Sequence, residues 1–193
     1  MVWSRLPLGL AIFLLSLFGG TAYPAAGGCL IILGLLLDIF DGILARRLGI
    51  STQSMRRLDS NIDQFFYLAA IAAAWIRYPD FFRSHLPGIS ALAGAEAATY
   101  AYSYIRFRKE IATHSLGSKL WALSLAAVLV QITLTGTSGI LFAICVALGL
   151  ATRLEILAIL WALPAWTHDV PTLRQALALR RGNEMKRSRL FNG

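Results

Sequence analysis

Residues 38–63 read DIFDGILARRLGISTQSMRRLDSNID. Four aspartates fall within these 26 residues, next to runs apolar enough for a lipid bilayer. Asp38, Asp41, Gly42, Ala45 and Arg46 recur at i, i+3, i+4, i+7 and i+8, which is one stripe of an α-helix. Asp59 and Asp63 stand at i and i+4, on one face of the helix that follows. A short basic loop joins the two helices, so the two pairs can converge near one membrane surface. A charged side chain inside hydrocarbon costs at least about 2.5–3.5 kcal/mol. Four are tolerated only where they face a polar centre and are neutralised.

The rest of the chain reads as membrane protein. Of its 193 residues 57% are hydrophobic and 15% charged, with mean hydropathy +0.63; soluble domains run near 45–50% and 25%. A span needs roughly 20 mostly apolar residues. Six runs qualify, at 6–22, 25–45, 58–76, 88–105, 118–135 and 140–163, separated by Gly, Pro and charge clusters. The first run is read as a span rather than a signal peptide, because the next run follows almost at once and only Arg5 precedes it. Of the 18 Lys and Arg residues, 15 fall on one side of this layout and two, Arg77 and Arg83, on the other; Arg153 falls within a span. That bias puts both termini in the cytoplasm. It reads the net charge of +8 as contact with anionic headgroups, with no nucleic-acid partner. The expected fold is all-α, a polytopic bundle of six transmembrane helices with a polar cavity facing the cytoplasm. Residues 1–166 form the transmembrane domain, and 167–193 a basic tail in which Val170 to Arg181 form a short amphipathic helix.

Clustered carboxylates either take up protons or bind a hard cation. No His or Cys belongs to the cluster, so an all-oxygen site favours Mg²⁺, Mn²⁺ or Ca²⁺ over zinc. Gly42 leaves room for a diphosphate to approach the backbone. Arg46, one turn on, is suited to grip phosphate oxygens in pairs. Acid pairs, a gap and an arginine describe metal-assisted phosphoryl transfer. Competing readings are a solvated loop of locally paired Asp and Arg, or a divalent-cation transporter whose path the carboxylates line.

The stretch resembles the signature of the CDP-alcohol phosphatidyltransferases, D-x2-D-G-x2-A-R-x8-G-x3-D-x3-D. Asp38, Asp41, Gly42, Ala45, Arg46, Asp59 and Asp63 match it in identity and spacing, and Met55 replaces its second glycine. The resemblance implies an enzyme of phospholipid biosynthesis. It would move a phosphatidyl-type group from a CDP-linked lipid to a small polar alcohol and release CMP, on two divalent ions, Mg²⁺ or Mn²⁺. Asp38, Asp41 and Asp59 would ligate metal. Asp63 would be the base and a second-metal ligand. Gly42, Ala45 and Arg46 would border the CDP group. It also implies a homodimer in a bacterial or archaeal inner membrane, with the active site on the cytoplasmic side. The substitution at Met55 leaves open a catalytically degenerate member that binds or scaffolds.

The other polar residues say less. Ser103 to Glu110 (SYIRFRKE) is similar to a family segment whose basic residues hold an acceptor's phosphate. Arg106, Arg108 and, in a looser match, Lys119 are therefore assigned to the acceptor, against ordinary interfacial anchoring. Ser4-Arg5 resembles the residues that open the family's first span, and Arg5 reads as its anchor. Glu96 is costly within a span, and three readings stay open for it: pairing with Arg153, protonation, or lining an acceptor cavity. His85, His114 and His168 have no ligand spacing, and Cys29 and Cys145 read as small apolar residues.

Overall fold

A computed structural model describes residues 2–47, 53–109, 116–167, 170 and 172–182, with backbone alone for 2, 45–47, 53–57 and 116. The described residues contain eight α-helices and no strand: α1 (Arg5–Phe18), α2 (Tyr23–Arg47), α3 (Gln53–Arg77), α4 (Pro79–Ser84), α5 (Leu86–Phe107), α6 (Leu116–Thr135), α7 (Ile140–Ala162) and α8 (Leu173–Arg180). Three stretches are long and apolar enough to cross a bilayer, Gly20–Leu44, Gly117–Thr135 and Ile140–Ala162. The other two long helices, α3 and α5, have 25 and 22 residues. At 1.5 Å per residue they reach about 37 and 33 Å, enough for a hydrocarbon core of about 30 Å. The stretch expected as the first span is broken instead. Its helix ends at Phe18, and a 3-10 turn over Gly20–Ala22 leads into α2. Gly20 has φ +49°, which costs glycine little, and the ladder stops there.

The chain divides into two compact units. The first holds residues 1–84 and 125–141, the second 85–124 and 142–193. In the first, three helices pack along stripes of small and apolar residues. Arg5, Gly9, Ile12 and Ser16 are the buried face of α1. On α2 the buried positions include Tyr23, Gly27, Ile31, Gly34 and Asp41. On α3 they include Ile62, Phe66, Ala70, Ala73 and Ala74. Each set steps by three or four, with a few adjacent pairs, so each helix keeps one inner face. Without a strong hydrophobic force between helices in lipid, such interfaces depend on close approach of small residues. Gly34 is the tightest point: a Cβ there would lie 2.3 Å from Cζ of Phe66. Phe66, Ile12, Ile31, Ala70, Ala73, Tyr23 and, from α6, Leu129 form one apolar core.

The end of this unit where α2 starts and α3 finishes is closed by polar contacts. Arg77 donates to the carbonyl of Gly20 at 2.8 Å and stacks over the ring of Tyr23. Tyr78 donates to the carbonyl of Thr133 at 3.1 Å. At the opposite end, the inner faces of all three helices run into charged residues.

In the second unit Arg153 of α7 pairs with Glu96 of α5, which is one of the three readings open for that carboxylate, and lies 4.6 Å from the Trp121 ring centroid. The segment 170–181 does contain a helix, α8, started by Thr172, whose hydroxyl accepts from the Gln175 amide. Its Ala176 and the preceding Val170 are buried with Ile159, Ala162 and Leu163 at the end of α7. The apolar face of this helix thus packs on protein.

Candidate metal centre

Asp38 and Asp41 continue the inner stripe of α2 beyond Gly34, at steps of four and three. Asp59 and Asp63 precede Phe66 on the inner stripe of α3. Arg77 of α3 meets Tyr23 of α2 and Phe66 meets Gly34, so the two helices run antiparallel and their acidic ends lie at the same end of the unit. One carboxylate oxygen each from Asp38, Asp59 and Asp63 lie within 4.8 Å of one another. Asp41 is the most buried of the four, and its Oδ2 has no hydrogen-bond partner. The expected convergence of the two pairs is therefore present.

The sequence reading missed the cation among them. Arg5, at the start of α1, is 1% exposed and reaches into the ring of carboxylates. Its Nη1 donates to Asp38 Oδ1 at 2.9 Å and pairs with Asp63, while Nη2 donates to Asp59 and lies 3.9 Å from Asp41 Oδ2. The signal was available in the spacing. Arg5 shares its helix face with Gly9, Ile12 and Ser16, the small and apolar side that packs inward, and an arginine anchoring a span to headgroups would point away from it.

One guanidinium does not balance this centre. Four ionised carboxylates against one arginine leave three formal negative charges unmatched among the described side chains. Two carboxylates about 5 Å apart repel by about 3 kcal/mol at an effective dielectric near 20. Hard cations relieve that repulsion, and three clustered oxygens with a fourth, unpartnered buried one are the donor set such ions take. The residues fit a divalent-ion site.

The remaining expected site residues divide into three groups. Gly42 lies on α2 beside Asp41, and the backbones of Ala45 and Arg46 continue that helix; the side chains of Ala45 and Arg46 are outside the described residues. Met55 lies in the first turn of α3, its side chain likewise outside them. Arg106, Arg108 and Lys119 belong to the second unit. Arg106 donates to the carbonyls of Trp161 and Leu163 at 3.1 and 2.9 Å and to the Tyr102 hydroxyl at 2.9 Å, tying the end of α5 to the end of α7. Arg108 has a left-handed backbone, φ 54°, where α5 ends, and its guanidinium lies over the ring of Tyr104.

The family model for CDP-alcohol phosphatidyltransferases matches residues 2–152. The chain belongs to the CDP-alcohol phosphatidyltransferase family. No curated protein and no solved structure is a significant match. The match begins before Arg5 and ends before Arg153, so the acidic centre, helices α1 to α6 and the first half of α7 lie inside the family region. It is an integral membrane protein with three candidate spans. Residues 153–193, with α8, lie outside the matched region.

Proposed function

We propose that this phosphatidyltransferase moves a phosphatidyl-type group from a CDP-linked lipid to a small polar alcohol and releases CMP. The observation that carries this reading is the convergence of Asp38, Asp59 and Asp63 from two helices on one point, with Asp41 buried beside them.

Asp38, Asp41 and Asp59 would hold a divalent ion, Mg²⁺ or Mn²⁺, with Asp63 as a ligand to a second. Bound there, the ions supply positive charge to offset the diphosphate and the leaving CMP. Asp63 accepts the proton of the acceptor hydroxyl as its oxygen attacks the lipid-bearing phosphorus. The bond from that phosphorus to the oxygen of CMP breaks, and CMP leaves with the electron pair. Gly42 leaves space at the backbone for the diphosphate, and Ala45 and Arg46 border the nucleotide.

The reading includes six spans, both termini and the acidic centre on the cytoplasmic side of a bacterial or archaeal inner membrane, and a homodimer. Donor and acceptor differ in solubility, and a centre near the cytoplasmic interface serves both. Positive charge at Arg106, Arg108 and Lys119 favours a phosphorylated polyol as acceptor. The guanidinium of Arg106 already donates to two carbonyls and a hydroxyl, which weakens its own part in that assignment. Purified protein supplied with CDP-diacylglycerol and an acceptor panel tests the proposal. CMP should form with Mg²⁺ or Mn²⁺ present and with one acceptor class above the others. No CMP with any acceptor would overturn it.

A further inference from the structure

Arg5 occupies the place where the centre needs a cation. The three carboxylates whose oxygens cluster, those of Asp38, Asp59 and Asp63, are the three that hold its terminal nitrogens. We propose that Arg5 is a resident counter-cation that competes with divalent ions for these carboxylates. It holds the centre together in the metal-free protein and moves off Asp63 when ions enter. This inference rests on the metal-dependent reading above and adds a residue that the acidic signature does not contain.

Three features support the competition. First, a guanidinium and a divalent ion on the same oxygens would place like charges a few ångströms apart, so one must give way. Second, access is lopsided. Arg5 is 1% exposed, whereas the side chains of Asp38, Asp59 and Asp63 are 38%, 31% and 28% exposed. Arg5 therefore sits beneath the carboxylates, and ions reach their open side. Third, Arg5 stands at an end of its helix, where a shift of one residue disrupts little of the ladder behind it. It is the first residue of α1, preceded by a 3-10 turn over Val2–Ser4, and the first amides of a helix have no partner within it. Its Nε is buried without a hydrogen-bond partner, so its own bonding is incomplete where it sits.

The consequence is a link between metal loading and the base. While Asp63 is paired with Arg5, one of its oxygens is taken up by the guanidinium and is not offered to an acceptor. Ion entry exchanges the guanidinium for an ion on one oxygen of Asp63 and leaves the other oxygen to take the acceptor's proton. The metal-free protein is then stable and inactive, and becomes competent only as the ions arrive.

The test is Mn²⁺ affinity of the purified full chain, by calorimetry, for the wild type and Arg5→Gln. The proposal predicts at least tenfold tighter binding in Arg5→Gln. Equal or weaker binding would overturn it and leave the metal-dependent reading standing. Absence of Mn²⁺ binding in both proteins would overturn the two together. Hydrogen exchange on the wild type gives a second readout that needs no variant. Mn²⁺ should speed amide exchange over residues 5–12 relative to chelated protein, and a slowing would contradict the displacement of Arg5.

Discussion

Nη1 of Arg5 lies 2.9 Å from Oδ1 of Asp38, across 33 residues of chain, and this contact joins the start of α1 to the acidic end of α2. The same guanidinium pairs with Asp59 and Asp63 on α3. Three helices are thus tied at one end by one side chain. Removing an acid here has two opposed effects, loss of an ion pair and relief of repulsion among the acids left. Asp59→Asn is therefore expected to change the melting temperature of chelated protein little. It should abolish most of the rise in melting temperature that Mn²⁺ gives the wild type, since a ligand that binds only the folded state stabilises by mass action. Thermal unfolding with chelator and with Mn²⁺ measures both. An unchanged rise would remove Asp59 from the ligand set.

Asp63→Asn should separate binding from chemistry. Asp38, Asp41 and Asp59 remain to hold an ion, while the amide at position 63 cannot take the acceptor's proton. Turnover should fall by about 10²–10⁴-fold, the range for a lost general base. Binding of Mn²⁺ and of CDP-lipid should persist. Near-normal CMP release by this variant would take Asp63 out of the base role.

Gly34 permits the closest approach of α2 and α3. In Gly34→Ala the new Cβ meets the ring of Phe66, which is 2% exposed and has little room to turn. Overpacking of this kind costs about 1–3 kcal/mol. Adding Phe66→Leu should recover part of the loss, so the double variant melts above Gly34→Ala. Additive losses in a double-mutant cycle would show that the two sites do not compete for one space.

The ion pair of Glu96 and Arg153 makes a prediction for the second unit. Arg153 is mostly buried and its partner is 38% exposed, so the penalty for breaking the pair is partly screened. Glu96→Ala leaves the guanidinium on the Trp121 ring alone and should lower stability by about 2–3 kcal/mol, below the range for a fully buried pair. Glu96→Ala together with Arg153→Met should recover much of it, as read from unfolding in detergent. A double variant no more stable than the single one would show that the pair is not the reason for the loss.

The architecture was legible because membrane helices obey few rules. Length, apolarity and the charge bias marked the helices, and the steps of three and four placed Asp38 with Asp41 and Asp59 with Asp63. The cost of a charge within a span marked Glu96 as needing a partner or a proton, and only the structure pairs it with Arg153. The break after Phe18 was harder to read, because an apolar run looks continuous until the Gly19-Gly20 pair takes up its turn. Arg5 was misread for a related reason. A lone arginine before a span usually marks the membrane surface, and only the inward stripe of Gly9, Ile12 and Ser16 gives its direction. Arg106 was read through its charge; Tyr102 stands one turn before it, but the carbonyls of Trp161 and Leu163 lie far along the chain, where no local pattern points. The signature's missing glycine, at Met55, falls in the first turn of α3, where Met is a better helix former than Gly by roughly 0.8 kcal/mol.

The most direct test is CMP release from CDP-diacylglycerol by purified protein, with an acceptor panel, measured while Mn²⁺ is titrated from chelated protein upward. CMP should be absent under chelation, rise with Mn²⁺ in the wild type, and stay near background in Asp38→Asn and Asp59→Asn. CMP formed at the same rate in chelator, or undiminished in both variants, would contradict a metal-dependent transferase built on these aspartates.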